Sequence, residues 1–285
     1  MPVFPRKTYT LNLRSGPLEL GRRTMVMGIV NVTPDSFSDA GECYDHLAAV
    51  QRALEMIAAG ADLLDIGGES TRPGAEPVSV DLELGRVIPV IAAIREQSKI
   101  PVSIDTTKAE VARQALATGA DIINDVSALR FDGLMADVAA QSGVPVILMH
   151  MQGIPRTMQQ NPVYASLFSE IIAFLEERMR FAENHGIDRQ QLIVDPGIGF
   201  GKNPGHNLAL IRNLELFHCL DRPILLGASR KRFIGTVLDR PVQDREVGSA
   251  VAHSFGIAAG AHIIRAHDVA FHRQVALMSD AIRDP

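Results

Sequence analysis

Polar and charged side chains stand at the ends of short apolar segments along most of this chain, where they could support chemistry. Asn31 ends the first such segment, Asp105 ends the third and Asp195 ends the sixth. The other groups placed in this way are Asn124, Asp125, His150, Ser229, Arg230, Lys231, Arg265 and His267. A lone Asp at such a position is usually a solvated residue or a helix cap. A polar group after nearly every segment instead predicts one shared active site.

Four of these residues indicate what the site binds. Asp105, Asn124, Asp195 and Lys231 combine hydrogen-bond acceptors with donors. That combination suits a planar heterocycle with amide and amidine edges, because a carboxylate accepts two parallel N–H bonds from such an edge.

Three further residues indicate a second part of the same ligand. Asn31 offers an amide oxygen, and Arg265 and His267 offer two cationic groups. An oxygen ligand beside two cations suits a phosphate or diphosphate bound together with a divalent metal ion. The residues therefore predict a heterocycle that carries a diphosphate.

Eight apolar segments, rich in branched residues, are the elements that must position these groups. They are Met25–Val32, Leu63–Gly67, Val102–Asp105, Ile122–Val126, Val146–His150, Leu192–Asp195, Ile224–Gly227 and His262–Arg265. Their nearly continuous apolar character is typical of strands buried on both faces. Stretches with helical spacing separate them; two of their apolar stripes are Leu47, Val50, Leu54 and Ile57, and Val87, Val90, Ile91 and Ile94.

Eight strand-then-helix units predict an α/β fold, a closed (β/α)₈ barrel, with a doubly wound open sheet as the alternative. The alternating segment Thr8–Leu13, the turn 14–17 and the segment Leu18–Leu20 predict a β-hairpin that closes the bottom of the barrel. No linker divides the chain, so residues 1–285 are expected to form a single domain. The ends of barrel strands carry the chemistry in this fold, in agreement with the polar groups found there.

Composition excludes several classes of protein. Hydrophobic residues make up 46% of the 285 residues, and the net charge is −5. This content is too apolar for a disordered chain and lacks the basic character of a nucleic-acid-binding protein. No apolar run approaches the roughly 18 residues of a membrane span, and residues 1–20 do not have the pattern of a secretory signal. Two cysteines, Cys43 and Cys219, do not make a disulfide framework and predict a cytoplasmic protein.

Two glycine patterns have competing interpretations. Residues 195–202 look like a phosphate-binding loop, but Pro196 and Asn203 occupy positions where that motif needs Gly and a hydroxyl. We interpret the segment as a turn that lets the backbone approach a flat ligand. Small residues also recur every four positions at Gly248, Ala252, Gly256 and Gly260. This stripe predicts either close packing of a helix within the fold or a contact between subunits.

Eight motifs, in order along nearly the whole chain, carry a resemblance to a known family. They are Met27–Asp39, Asp65–Gly74, Ser103–Thr106, Ile123–Val126, Met149–Gln152, Asp195–Lys202, Ser229–Lys231 and Arg265–Val269. On these motifs the chain resembles the dihydropteroate synthase family of folate biosynthesis. The resemblance implies a (β/α)₈ barrel and a transferase. Its substrates would be 6-hydroxymethyl-7,8-dihydropterin diphosphate and p-aminobenzoate, and its products 7,8-dihydropteroate and pyrophosphate.

The resemblance also implies roles for individual residues. The pterin would be held by Asp105, Asn124, Asp195 and Lys231, with Met149 and Phe200 near its plane. Arg265 and His267 would bind the diphosphate, and Asn31 would ligate Mg²⁺. Two mobile loops would contribute Phe37 and Asp39 from the first and Thr71, Arg72 and Pro73 from the second. The residues expected to act in catalysis are Asn31, Lys231, Arg265 and His267.

The implied mechanism begins with cleavage of the C–O bond to the diphosphate, because the pterin ring can stabilise a cation at that carbon. The metal ion, Arg265 and His267 would take up the charge that forms on pyrophosphate. The aniline nitrogen then attacks, and it needs no general base because it is already neutral. Arg232 stands where Ser often helps to bind the p-aminobenzoate carboxylate, so that contact is open.

Two other functions are alternatives. A pterin-binding methyltransferase that uses methyltetrahydrofolate would share the barrel and the pterin edge, but it has no use for the diphosphate groups Arg265 and His267. A barrel that only binds a pterin or a partner would not need the trio of Asn31, Arg265 and His267. The resemblance further implies a homodimer that acts on small molecules, with no nucleic acid or membrane as partner.

Overall fold

The structure is a computed structural model that describes residues 4–33, 41–70 and 76–284. An antiparallel hairpin, β1 (Tyr9–Leu13) and β2 (Gly16–Leu20), precedes the main sheet. The strands of that sheet are β3 (Met25–Asn31), β4 (Leu63–Gly67), β5 (Val102–Asp105), β6 (Ile122–Asp125), β7 (Val146–Met149), β8 (Leu192–Asp195), β9 (Leu225–Leu226) and β10 (Ile263–Ala266). All their pairings are parallel.

The sheet closes into a barrel. Its strand order is β8-β7-β6-β5-β4-β3-β10-β9, so the first and last strands of the set, β3 and β10, are neighbours. A parallel bridge between Val194 and Ile224 joins β8 to the start of β9, and Val194 N donates to Pro223 O at 3.0 Å. The predicted (β/α)₈ barrel is thereby confirmed, and the open-sheet alternative was wrong.

Helices follow the strands and cover the outside of the barrel. Within the described ranges they are α1 (Gly41–Ala58), α2 (Val80–Gln97), α3 (Ala109–Thr118), α4 (Met135–Ser142), α5 (Leu167–Asn184), α6 (Pro204–Arg212), α7 (Arg232–Leu238), α8 (Glu246–Ala258) and α9 (Val269–Arg283). None of the helices in this part of the chain is long and apolar enough to cross a membrane.

The hydrophobic stripe predicted for α2 is confirmed, and the one predicted for α1 was partly wrong. Val87, Val90, Ile91 and Ile94 are all fully buried. On α1, Leu47 is 66% exposed, and the buried face is formed by Ala49, Ala53 and Met56. The small alanines were missed because size, rather than hydrophobicity, decides which face fits closely against the barrel.

The hairpin closes the bottom of the barrel, as predicted. Leu11 and Leu20 are fully buried and pack against side chains from the strands. This barrel-bottom cluster also contains Tyr9, Leu13, Met25, Met27, Leu63, Ile122, Ile147, Ile193, Leu225 and Ile263. Successive side chains along a strand point to opposite faces, so residues two positions beyond these point to the barrel axis as well.

The stripe of small residues on α8 packs within the fold. A Cβ at Gly248 would overlap Ile234 of α7, and one at Gly256 would overlap Leu226 of β9. The close-packing interpretation is therefore confirmed for these two glycines. A neighbouring face of α8, about 100° away around the helix, carries the exposed apolar side chains Val247, Val251 and Phe255.

Candidate active site

The side chains of the site lie one pleat above the barrel-bottom cluster. Ile122 is followed by Asn124, Ile193 by Asp195 and Ile263 by Arg265, each two positions later on the same strand. Since the first member of each pair faces the barrel axis, the second does so too. The period of the strands therefore brings polar groups from separate strands into one space, which we call the barrel mouth.

Arg265 links three strands across the barrel mouth. Its Nε donates to Oδ2 of Asp65 at 2.6 Å, and its Nη2 donates to Oδ2 of Asp105 at 2.8 Å. The amide of Asn124 donates to the same Asp65 oxygen at 2.9 Å. Asp65 is fully buried, and its Oδ1 has no hydrogen-bond partner among the described residues.

Asp65 is a functional candidate that the sequence analysis missed. It lies in the middle of β4, between the fully buried Leu64 and Ile66. The available signal was a carboxylate inside an otherwise apolar strand, which is costly unless the carboxylate is paired. Its position inside a strand, rather than at a strand end, separates it from the other predicted site residues.

Burial changes the acidity of two carboxyl groups in the mouth. Burial and the neighbouring Asp65 raise the pKa of Asp105 to about 7, although Arg265 opposes this shift. Burial likewise raises the pKa of Asp195 to about 6, while Gly197 N, Lys231, Lys202 and Arg265 favour the ionised form. Both residues face the barrel axis, since Arg265 follows Ile263 and Asp195 follows Ile193 by two positions, and the charge of Arg265 is close enough to favour the ionised form of Asp195.

Aromatic and sulfur-containing side chains form an apolar surface beside Asp195. Phe200, Met149, Met151, Met158 and Val126 pack together as a small separate cluster. The ammonium of Lys231 lies 4.0 Å from the centre of the Phe200 ring. Lys231, Met149 and Phe200 are thus brought together, in an arrangement that would suit a flat ligand next to a carboxylate.

His267 and Asn31 lie on the neighbouring strands expected from the sequence. Strand β10 pairs with β3 in the register of Arg265 opposite Met27 and ends with Ala266 opposite Gly28, so His267 follows the strand that neighbours the one ending in Asn31. Nδ1 of His267 lies 2.9 Å from Oγ of Ser229, and its backbone N donates to the same hydroxyl at 3.2 Å. Asn31 ends β3.

Five of the predicted site residues lie outside the described residues. They are Phe37, Asp39, Thr71, Arg72 and Pro73.

The interpretation of the glycine-rich turn was wrong for two of its three glycines. Gly197 and Gly201 have φ of 71° and 64°. A Cβ at Gly197 would overlap the carbonyl oxygen of His150, and one at Gly201 would lie 2.9 Å from that of Gln152. These glycines admit the neighbouring backbone rather than a ligand. Gly199 instead faces the side chain of Lys231.

Lys202 is a second missed residue, and it is paired with the buried His150, a group predicted at the end of its strand. Nζ of Lys202 donates to the carbonyl oxygen of Phe200 at 2.9 Å and lies 2.9 Å from Nδ1 of His150. Burial lowers the pKa of Lys202 to about 7, and burial together with Lys202 lowers the pKa of His150. In the sequence, Lys202 stands out only as the lysine of a segment that resembles a phosphate-binding loop.

The donor set at the mouth can be compared with the needs of metal ions. Among the described residues, no group of three or more His, Cys, Asp or Glu side chains could hold a metal. Asn31 offers a single amide oxygen. Mg²⁺ commonly binds through one or two protein oxygens, retained water and substrate phosphates, so this donor set fits Mg²⁺ carried in with a diphosphate.

Comparison with known proteins decides the family. The model of the pterin binding enzyme family matches residues 27–267. The chain belongs to the pterin-binding enzyme family. A dihydropteroate synthase from Synechocystis is 48% identical over 263 residues, which are 92% of this chain and 91% of that protein. The match therefore spans nearly the full length of both chains.

Solved structures of the family agree. A Xanthomonas albilineans dihydropteroate synthase with 4-aminobenzoic acid is 45% identical, with a TM-score of 0.91, covering 98% of this chain and all of that one. A second structure of the enzyme from that organism, in complex with 7,8-dihydropteroate, is 42% identical with a TM-score of 0.87 and covers 97% of this chain and 99% of that one. The predicted family and fold are confirmed by these pterin-binding relatives.

Proposed function

We propose that the chain is a transferase that condenses 6-hydroxymethyl-7,8-dihydropterin diphosphate with p-aminobenzoate to give 7,8-dihydropteroate and pyrophosphate. The observation that carries the proposal is the barrel mouth itself, where Arg265 is held between Asp65 and Asp105 and faces the same axis as Asp195. Carboxylates that can accept hydrogen bonds from a heterocycle edge therefore lie beside the guanidinium of Arg265, which can bind an anionic group. Dihydropteroate synthases among the relatives support the assignment.

The pterin edge is bound by Asp195, Asn124, Asp105 and Lys231. An ionised Asp195 accepts two parallel N–H bonds from the heterocycle. The amide nitrogen of Asn124 donates to Asp65, and its amide oxygen is therefore the atom that accepts a hydrogen bond from the ligand. Phe200 and Met149 contact the ring face, and Lys231, positioned over Phe200, donates to the edge.

The diphosphate is bound by Arg265 and His267 next to Asn31. Two of the nitrogens of Arg265 are used by Asp65 and Asp105, and its Nη1 makes no hydrogen bond to the described residues. That nitrogen and His267 stabilise the negative charge that grows on the leaving pyrophosphate. Asn31 would hold Mg²⁺ there, and the ion would supply further neutralisation of this charge.

The C–O bond to the diphosphate breaks before the new C–N bond forms, and the neutral amine of p-aminobenzoate then attacks. Within the chain, Arg265 and His267 act on the leaving group, and the residues at the pterin edge keep the reacting carbon in place. The exposed Arg232, the first residue of α7, is available to pair with the carboxylate of p-aminobenzoate.

Measurement of pyrophosphate release tests this function directly. Release should require both the dihydropterin diphosphate and p-aminobenzoate and should fall when Mg²⁺ is chelated. Release without p-aminobenzoate would indicate a hydrolase, and no release with all components present would contradict the proposal. Methyl transfer from methyltetrahydrofolate under the same conditions would instead support the methyltransferase alternative.

We also propose that residues 1–285 act as one cytoplasmic domain that forms a homodimer through α8 and α9. Val247, Val251 and Phe255 are 71%, 53% and 46% exposed, and they recur every four residues on α8. Met278 and Ile282 are 64% and 65% exposed on α9. Two helices with apolar stripes suit a two-fold contact in which each copy presents the same surface.

Light scattering coupled to size exclusion tests the dimer. The wild type should run as a dimer, and Val251→Glu should shift it towards the monomer by placing a charge in the contact. Leu216→Glu is the control, since Leu216 is 44% exposed but lies outside α8 and α9. A monomeric wild type, or equal effects of both variants, would contradict this contact.

A further inference from the structure

The segment that delivers Ser229 and Lys231 to the barrel mouth is held from behind by α8. The backbone N of Ala228 donates to Nε2 of His253 at 3.4 Å, and that of Arg230 donates to Oγ of Ser249 at 2.9 Å. Arg230 has φ of 55°, in the left-handed region that non-glycine residues rarely adopt. Its conformation therefore depends on such contacts with the surrounding structure.

Two buried histidines extend this contact into a closed chain of hydrogen bonds. Nδ1 of His253 lies 3.0 Å from Nδ1 of His272, and Nε2 of His272 lies 2.8 Å from Oε1 of Glu246. The other oxygen of Glu246 accepts from Nε of Arg230 at 2.6 Å. The chain runs from Ala228 through both histidines and Glu246 and returns to Arg230, two residues after its start.

The partners at each end determine where the protons are. Nε2 of His253 accepts from a backbone N–H, so it carries no proton, and its Nδ1 must be the protonated nitrogen. Nδ1 of His272 then accepts, which leaves Nε2–H of His272 to donate to Glu246. Each ring nitrogen has one partner in this single pattern. A proton on any other nitrogen would place two donors face to face.

Burial supports the neutral form of both rings. His253 and His272 are fully buried, and burial lowers the pKa of each. The groups that face His272 are Glu246 and Asp268, which favour its charged form, and Arg230, which opposes it. The rings of His253 and His272 meet edge-on, with their centres 4.6 Å apart.

We propose that His253 and His272 are positioning residues, which fix the backbone of residues 228–231 so that Ser229 and Lys231 meet the substrate. Neither ring touches the reacting atoms in this assignment. His253 acts through the N–H of Ala228, and His272 acts through Glu246 and Arg230. The inference rests on the proposed function, because it uses that reaction as one readout.

A matched pair of variants tests the role of His253. Gln places an acceptor oxygen near the position of Nε2 and keeps the bond to Ala228, whereas Leu has similar bulk and cannot accept. We expect His253→Leu to lower kcat/KM for the dihydropterin diphosphate by about tenfold or more, the usual effect of losing a hydrogen bond at a positioned group. His253→Gln should stay within about threefold of the wild type. Thermal unfolding of both variants serves as the control for folding.

Two kinetic results would overturn the proposal. One is a folded His253→Leu variant with the kcat/KM of the wild type. The other is an equal loss in His253→Gln, which would assign the effect to packing. His272→Gln and His272→Leu repeat the comparison at the second ring, since Gln keeps a donor towards Glu246, in case His253→Leu does not fold.

Nitrogen NMR of the histidine rings tests the inference without any activity. The wild type should show His253 protonated at Nδ1 and bare at Nε2, and His272 bare at Nδ1 and protonated at Nε2. The opposite tautomer of either ring, or a charged ring near neutral pH, would overturn the hydrogen-bond chain. If the proposed reaction were wrong, pyrophosphate release would be absent in the wild type while these resonances kept the expected pattern.

Discussion

Arg265 donates its Nε to the fully buried carboxylate of Asp65 at 2.6 Å. A guanidinium is planar, so this bond and the one from Nη2 to Asp105 fix the plane of the whole group across the barrel mouth. Asp65 also accepts from Asn124. One buried carboxylate therefore orients a residue proposed to bind the diphosphate and a residue proposed to bind the pterin.

Asp65→Asn should lower kcat/KM for the dihydropterin diphosphate by roughly 10- to 100-fold. The amide oxygen can still accept from Arg265 and Asn124, which share Oδ2 of Asp65, but the negative charge that strengthens both bonds is lost, and the amide N–H₂ takes the buried position of Oδ1, where it has no partner among the described residues. The effect should appear in steady-state pyrophosphate release, with both kcat and KM affected because Arg265 and Asn124 are both held less firmly.

Asp280→Asn is a matched control for that substitution. Asp280 accepts from Nη2 of Arg6 at 2.7 Å and from the backbone and hydroxyl of Thr24, away from the barrel mouth. It should lower stability and leave kcat/KM near the wild-type value. Equal kinetic effects of the two variants would show that Asp65 has no specific link to the site.

Pterin affinity should fall at acidic pH because of Asp195. Its pKa is raised to about 6 by burial, and only the ionised form accepts two N–H bonds. Binding is therefore fully present well above pH 6 and is lost as the pH falls through that value, by about tenfold at one unit below the pKa. Calorimetric titration with the dihydropterin diphosphate between pH 5 and pH 8 measures this, and a flat profile would contradict it.

Because of the same raised pKa, the ionised Asp195 lowers the stability of the ligand-free protein at neutral pH. A carboxyl whose folded pKa lies above its unfolded value stabilises the fold below about pH 4, and this contribution is lost as the pH rises through 6. Asp195→Asn should therefore be more stable than the wild type at pH 8, by on the order of 1–3 kcal/mol, and equal to it near pH 4. Urea denaturation at both values tests this. A variant that is less stable at pH 8 would show that the carboxylate is not strained by burial.

The barrel could be predicted from sequence because its pattern is repeated and local. Seven of the eight barrel strands are segments of four to seven residues, and the positions of Asp105 and Asp195 at strand ends follow directly from that pattern. Strand β9 was the weakest case. Only Leu225 and Leu226 form a regular strand, since Ile224 bonds across to β8 and Gly227 has no side chain to pack.

The groups that support the site could not be predicted in the same way. Asp65 and Lys202 depend on partners 200 and 52 residues away in sequence, and only closure of the barrel brings these together. Position 197 likewise requires glycine because a Cβ there would overlap the carbonyl oxygen of His150, which follows the neighbouring strand β7. Strand periodicity indicates that a residue faces the axis, but it does not indicate which other residue it meets there.

Packing of the hairpin into the barrel-bottom cluster should contribute most of the stability that the hairpin adds to the fold. Leu11 is fully buried against side chains from the barrel strands. Leu11→Ala should lower the free energy of unfolding by about 2–5 kcal/mol, through lost apolar contact and the cavity left behind. Urea denaturation measures this change, with Thr10→Ala as the control, because Thr10 is exposed on the same strand. A decrease in the free energy of unfolding no larger than that of Thr10→Ala would show that packing of Leu11 against the barrel does not stabilise the fold.

Lys202 should make stability depend on pH above neutrality. Burial lowers its pKa to about 7, so the unfolded chain binds a proton that the folded chain releases between about pH 7 and pH 10. For a lysine of lowered pKa, the contribution to stability is present at high pH and is lost as the pH falls through 7.

Lys202→Met removes this dependence. The difference between the unfolding free energies of wild type and variant should therefore rise by on the order of 1 kcal/mol per pH unit from 7.5 to 9.5. Lys99→Met, at an exposed position, should give no such rise. Parallel stability profiles of the wild type and Lys202→Met over this range would mean that Lys202 keeps its proton in the folded protein. The bond from Nζ to Nδ1 of His150 would then have a charged donor.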